Sequence, residues 1–311
     1  MIQHLPSPAQ PLKIGTRGSP LALAQAHETR DRLGAALGLP PEAFEIVVIK
    51  VMGDMVQDRA LKEIGGKGLF TREIEEALVE GAIDIAVHSM KDMPVGQPEG
   101  LVIDCYLPRE DVRDAFVSLG PKGLAELPGG AVVGSSSLRR RAQVTLRRPD
   151  LQLVEFRGNV QTRMRKLQEG LAQATFLAMA GLNRLGMDVA QSPVEPEEML
   201  PAVAQGAIGV ERRAADGRVG AMLAAIHHRE TGLRLAAERA FLARLDGSCQ
   251  TPIAGLAMLE DGGLWLRGEI LRPDGSQAIS GETRGAAEDG AALGRALADE
   301  LLGRAGPGFF G

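Results

Sequence analysis

The side chains best suited to chemistry here are a set of arginines, one carboxylate next to a lysine, and one cysteine in a turn. Arg17, Arg139, Arg140, Arg157, Arg163 and Arg184 each stand at or just past the end of a short apolar run. Guanidinium groups stay charged and grip carboxylates through paired hydrogen bonds. One arginine on a helix surface is ordinarily solvated and does little. Six at equivalent positions along the chain point instead to a cleft for a ligand bearing many carboxylates. Leu138-Arg139-Arg140-Arg141 open a helix directly after Ser135-Ser136-Ser137. The helix macrodipole favours anions at that end, so three cations there ask for an anion to complete them. Lys91-Asp92 ends the run His88-Ser89-Met90-Lys91-Asp92 and sets an ammonium beside a carboxylate beyond a strand. Taken alone, the pair reads equally well as a surface ion pair. Cys249 lies in Gly247-Ser248-Cys249-Gln250-Thr251-Pro252. Free cysteine is most often buried and inert, but a turn flanked by glycine and serine points to exposure and reactivity.

The elements that must position these residues can be read from periodicity. Strand-like runs cover residues 13–16, 44–51, 83–88, 131–134, 151–156 and 175–179, with helical stretches between them. One helix is predicted over 20–37, with Ser19 as its N-cap and Pro20 in its first turn. A second is predicted over 69–80, with Phe70, Ile74, Ala77 and Leu78 on one face. Short apolar strands alternating with amphipathic helices predict βαβ units and largely parallel sheets, whose ligands bind beyond the strands' carboxyl ends. Past residue 232 the pattern changes. Ala237, Ala240, Phe241 and Leu245 line one helix face. Leu264, Leu266 and Ile270 then alternate with Trp265, Arg267 and Glu269. Pro273-Asp274-Gly275 marks a hairpin turn and an alanine-rich helix follows over 287–302. This tail reads as a small α+β domain.

Composition narrows the function. A chain of 311 residues is long for one core, so two or three domains are expected. The formal charge of −5 and only ten aromatic residues argue against a nucleic-acid partner. No run of about 18 apolar residues offers a membrane span, and residues 1–11 lack the pattern of a signal peptide. Two cysteines make no disulfide framework, which fits the cytoplasm. Cys105 falls in the apolar run 101–106, where core packing is expected. His227-His228 have no companion ligands at metal-binding spacing, so no metal is expected. Gly65-Gly66-Lys67-Gly68 lacks the phosphate-loop spacing and reads as a flexible loop.

Taken together, these segments resemble the porphobilinogen deaminase (hydroxymethylbilane synthase) family over residues 13–252. The motifs carrying the resemblance are Thr16-Arg17-Gly18-Ser19-Pro20, Gly65-Gly66-Lys67-Gly68-Leu69-Phe70, His88-Ser89-Met90-Lys91-Asp92, and Ser135-Ser136-Ser137-Leu138-Arg139-Arg140. Phe156-Arg157-Gly158-Asn159, Ala180-Gly181-Leu182-Asn183-Arg184, Pro201-Ala202-Val203-Ala204-Gln205-Gly206 and Cys249-Gln250-Thr251-Pro252 continue it. Ser135, Ala204 and Ser248 depart from the family's usual Thr, Gly and Gly, and none of these changes removes a functional group.

The resemblance implies an α/β fold of three domains: two periplasmic-binding-protein-like α/β lobes with a crossover hinge, and a small α+β C-terminal domain. Its boundaries are 8–106 with 206–225, then 107–205, then 226–311. It implies a transferase that joins four porphobilinogen molecules head to tail, releases ammonia at each joining, and yields 1-hydroxymethylbilane for haem and other tetrapyrroles. The implied cofactor is a dipyrromethane bound through a thioether to Cys249. Asp92 matches the catalytic carboxylate, which would stabilise the cation formed as each ammonium group leaves. Arg17, Ser19, Lys91, Arg139, Arg140, Arg157, Arg163 and Arg184 would hold acetate and propionate groups. Ser135, Ser136 and Ser137 would add hydrogen bonds, Phe70 would stack on pyrrole rings, and Gln205 would line the cleft at an interdomain crossing. The implied protein is a cytoplasmic monomer acting on a small molecule, without membrane or nucleic acid. The alternative is a two-lobed solute-binding protein for a polycarboxylate, which would need neither Asp92 nor Cys249.

Overall fold

The computed structural model describes residues 4–52, 71–247 and 251–310. The chain opens with β1 (Leu12–Arg17), α1 (Pro20–Leu37) and β2 (Phe44–Ile49). Next come α2 (Arg72–Val79), β3 (Ile85–Ser89) and β4 (Leu101–Tyr106). A second sheet is then built from β5 (Asp114–Ser118), β6 (Val132–Gly134), β7 (Gln152–Val154), β8 (Ala174–Ala178) and β9 (Gln191–Val194). Helices α3 (Leu138–Arg147), α4 (Val160–Gln168) and α5 (Met179–Arg184) lie between its strands. The chain returns to the first sheet with β10 (Ile208–Arg213) and α6 (Gly217–Ala224). It ends with α7 (Arg229–Arg244), β11 (Ile253–Glu260), β12 (Gly263–Leu271), β13 (Ala278–Ala286) and α8 (Gly290–Ala305).

These elements fall into two compact units, residues 1–110 with 207–232 and residues 111–206 with 233–311. The first unit holds one sheet in the order β2-β1-β3-β10-β4. The inner strands are buried on both faces. Ile85 and Val87 join Leu12, Ile14 and Leu33 on one side, while Ala86 joins Ile74 and Leu78 on the other. Alternation along a strand sends successive side chains to opposite faces, so helices cover both and the sheet sits in the middle of three layers.

The second unit holds a sheet in the order β7-β6-β8-β5-β9 and a three-stranded meander β11-β12-β13. Phe116 packs with Val133, Val144 and Phe176 on one face of the larger sheet; Ala115 and Val117 pack with Phe156 and Leu182 on the other. Gly275 takes a positive φ of 73° in the turn between β12 and β13, as the Pro-Asp-Gly signal requires.

The mixed α/β class and the small α+β tail match the sequence reading. The sheets are less parallel than expected. The pairs β1–β2, β1–β3, β6–β7 and β6–β8 are parallel, but β10 runs antiparallel to β3 and β4, and β5 to β8 and β9. The reason lies in the connections. Each of these antiparallel strands enters its sheet after the chain has changed sheets, so no crossover helix sets its direction. Strands β5, β9 and β10 carry no alternation that the sequence reading picked out.

Candidate active site

In the first unit, β1 ends at Arg17 and the chain turns into α1 at Ser19, whose hydroxyl accepts from Ala22 N at 3.3 Å. Pro20 at the first helical position needs no donor of its own. Beyond β3, Met90–Asp92 form a single 3-10 turn that leaves Asp92 exposed. Arg17, Ser19 and Asp92 line one cavity, with Gln25, Thr71, His88 and Ser89 around it. Lys91 lies in the same turn but is not part of the cavity's lining. The cavity's floor is held from below. Gln25 and Ser89 hydrogen bond through their side chains at 2.8 Å, and His88 Nε2 lies 3.0 Å from the fully buried Glu211 on β10.

In the second unit, β6 delivers Ser135, Ser136 and Ser137 to the start of α3. Their hydroxyl oxygens accept from the backbone: Ser135 from Ser137 N, Ser136 from Phe156 N, and Ser137 caps Arg140 N. Gly134 makes this possible, since a Cβ there would come within 2.3 Å of the Phe156 ring.

Arg139 and Arg140 then point inward rather than into water, and both meet Asp114 at the start of β5. Asp114 Oδ1 accepts from Arg140 Nη2 at 2.7 Å, Arg140 Nε at 3.2 Å and Gln205 Nε2 at 3.0 Å. Arg139 Nη1 stands 2.8 Å from Oδ2 as an ion pair. Its own two hydrogens go to Gln143 Oε1 at 2.9 Å and to Leu200 O at 3.0 Å. Burial alone would raise the Asp114 carboxyl, but Arg139 and Arg140 outweigh it and hold the group well below the usual carboxylate range. Arg140 Nη1 and Arg163 Nη1 share the carbonyl of Phe176, at 2.9 and 3.3 Å. Burial, and then Arg140, lower Arg163 to about 10.

The structure therefore gathers Arg139, Arg140 and Gln205 around one carboxylate, and brings Arg163 to Arg140 through the shared Phe176 carbonyl. Arg157 follows β7, and its carbonyl accepts from Lys166 Nζ at 3.0 Å. Arg184, at the end of α5, donates to Gly206 O at 3.0 Å. Phe70, Cys249 and the loop at 65–68 lie outside the described residues.

Asp114 is the functional residue the sequence reading missed. Three cations opening a helix signalled that an anion was needed, and one was available within the chain, in Arg113-Asp114-Ala115. Gln25 and Glu211 were missed as well; they lie inside regular elements, where no motif marks them, and the motif that contains His88 gave no sign of its buried partner.

The cluster suits an anionic ligand on its own evidence. Two guanidiniums meet one carboxylate, a third shares a carbonyl with one of them, and Arg139 Nε is buried with no acceptor among the described residues. An orphaned donor in low dielectric is costly until an acceptor reaches it. Among the described residues, no group of three or more His, Cys, Asp or Glu could hold a metal ion, and no helix is long and apolar enough to cross a membrane.

Fold and site thus define an α/β protein with arginines collected at strand ends. Residues 12–221 match the family model "Porphobilinogen deaminase, dipyromethane cofactor binding domain", and residues 233–303 match "Porphobilinogen deaminase, C-terminal domain". A porphobilinogen deaminase of Paracoccus denitrificans is 72% identical over 308 residues, covering 99% of this chain and 98% of that protein. The chain belongs to the porphobilinogen deaminase family, and so to the transferases. Among solved structures, a periplasmic substrate-binding protein of an ABC transporter from Coxiella burnetii aligns at 15% identity with a TM-score of 0.42. It covers 70% of this chain and 92% of its own. A probable amino-acid ABC transporter extracellular-binding protein from Bacillus subtilis aligns at 11% identity and the same TM-score, covering 69% and 89%. Nothing in these matches favours the solute-binding alternative.

Proposed function

We propose that this enzyme condenses four porphobilinogen molecules head to tail into 1-hydroxymethylbilane, with loss of ammonia at each joining. The observation that carries the reading is the excess of buried guanidinium charge around Asp114, together with the orphaned Arg139 Nε. Every pyrrole of the substrate and product brings two carboxylates, so a site that must hold several pyrroles needs this kind of excess. Family membership supports the same chemistry.

A dipyrromethane attached to Cys249 would supply the pyrrole primer on which the chain grows. Arg139, Arg140 and Arg163 would hold carboxylates of this primer and of the substrate pyrroles that join it, with Ser135, Ser136, Ser137 and Arg157 bordering them. Their hydroxyl hydrogens remain available, because each described serine contact is one in which the oxygen accepts. Arg17 and Ser19 bind the incoming substrate's carboxylates in the cavity that Asp92 also lines. Asp92 is the catalytic carboxylate. It stabilises the positive charge that develops on the substrate ring as the ammonium group leaves, and it is placed to take the proton lost when the new bond forms. Lys91 pairs with a further carboxylate, Arg184 and Gln205 complete the binding set, and Phe70 stacks on a pyrrole ring.

We further assign three domains, at 8–106 with 206–225, 107–205 and 226–311, in a cytoplasmic monomer whose partner is porphobilinogen. The test is incubation with porphobilinogen. A colourless product that oxidises to a coloured porphyrin is expected; substrate that binds and is returned unchanged would replace the enzyme reading with a binding one.

A further inference from the structure

Beyond the Asp114 cluster, one buried polar chain has no part in the reading above. Gln143 lies one helical turn after Arg139 on α3, so the two side chains share a face. It is fully buried, and both ends of its amide are engaged. Oε1 accepts from Arg139 Nη1 at 2.9 Å; Nε2 donates to Glu269 Oε2 at 2.8 Å and to Leu200 O at 3.1 Å. Glu269 in turn accepts from Ser280 Oγ through its other oxygen, at 3.2 Å.

Donor and acceptor chemistry fixes the direction of this chain. A guanidinium can only donate and an ionised carboxylate can only accept. The residue between them must accept at one end and donate at the other, which an amide does. Glu269 lies on β12, in register with Ala254 on β11 and Ser280 on β13. β11 is the first strand after Cys249. Trp265 and Arg267, on the same side of β12, are partly exposed, whereas Glu269 is buried.

We propose that Gln143 and Glu269 are positioning residues for Arg139, tying the guanidinium of the anion site to the sheet that follows the cofactor cysteine. The inference rests on Arg139 being an anion ligand. Arg139 already has Asp114 on one side. A second anchor through Gln143 stops its guanidinium from swinging fully onto Asp114, and so keeps Nε free for a ligand. Glu269 also favours the charged form of Arg139 against the burial that opposes it.

The test is a polarity swap in the holoenzyme, with rates normalised to cofactor-bearing protein. Gln143→Glu sets a second carboxylate against Glu269 and should raise KM for porphobilinogen about tenfold or more, the scale of one lost hydrogen bond to a charged group. Its kcat should stay within about twofold, the signature of weakened binding alone. Adding Glu269→Gln reverses both ends of the bond: the new carboxylate accepts from Arg139 and the new amide donates to it. KM should then return to near the wild-type value. A purely structural role would lower the folded fraction and the melting point while leaving KM unchanged, and would overturn the proposal, as would a double variant with KM still raised. If Gln143→Glu does not fold, Gln143→Leu removes the same bonds without adding charge, and an unchanged KM there overturns the proposal equally. Wild-type enzyme run alongside separates the two levels: no turnover at all counts against the function, while normal turnover with an unmoved KM in the variants counts against this inference.

Discussion

Asp114→Asn removes one charge from a fully buried site and almost nothing else. The amide keeps the shape, and its oxygen can still accept from Gln205 or Arg140. What is lost is the only carboxylate within direct reach of Arg139 and Arg140 among the described residues. An exposed ion pair would be worth about 0–1 kcal/mol. Breaking a buried one strands its partners and costs about 3–5 kcal/mol. For a unit of this size each kcal/mol moves the melting midpoint about 2–4 °C, so the variant should melt about 6–20 °C below wild type. The assay is thermal unfolding of cofactor-free protein over a pH series. The folded Asp114 carboxyl titrates below its unfolded value of about 3.9. Its contribution is therefore complete above that value and lost as pH falls from there through the lower folded value. The wild-type advantage should be flat from about pH 8 to pH 5 and shrink below about pH 4. A variant melting within about one degree of wild type at neutral pH, or an advantage that fades near neutrality, would refute the argument.

Three other expectations are simpler. Asp92→Asn, at an exposed position, should reduce turnover at least a hundredfold, on the order of one lost charge-stabilising group, with no change in melting temperature; near wild-type activity would remove Asp92 from the mechanism. In a Cys249→Ser background, Cys105 should not react with an aromatic disulfide at pH 8 until denaturant is added, because burial and then Asp104 push its thiol up to about 12; rapid labelling of native protein would contradict its buried placement. Gly134→Ala drives a methyl into the Phe156 ring and should cost about 1–3 kcal/mol, read by denaturant unfolding; a neutral result would mean the strand end relaxes freely.

Much of this site was legible in the sequence because its parts sit at punctuation. Ser19 caps a helix, Pro20 starts one, and Ser137 precedes three arginines, so strand ends and helix starts could be located from local signals. The helix at Pro20–Leu37 falls where its cap predicted it. The directions of the arginines were not legible. Arg139 and Arg140 look like outward ligands in the sequence, yet both turn inward because Asp114 arrives from a strand 25 residues earlier. Glu269 shows the same limit. Period-two alternation put it with Trp265 and Arg267 on the polar side of its strand, and only the tertiary fold reveals that Gln143 meets it there and that it is buried. Local periodicity reports which face a side chain takes, and long-range packing decides whether that face meets water.

The most direct test of the central claim, a pyrrole primer held on Cys249 by a site built for carboxylates, is the intact mass of the purified enzyme measured beside Cys249→Ser. The account predicts an excess of two porphobilinogens less two ammonias in the wild type and none in the variant. A wild-type mass that matches the bare chain, and still does after incubation with porphobilinogen, would contradict it.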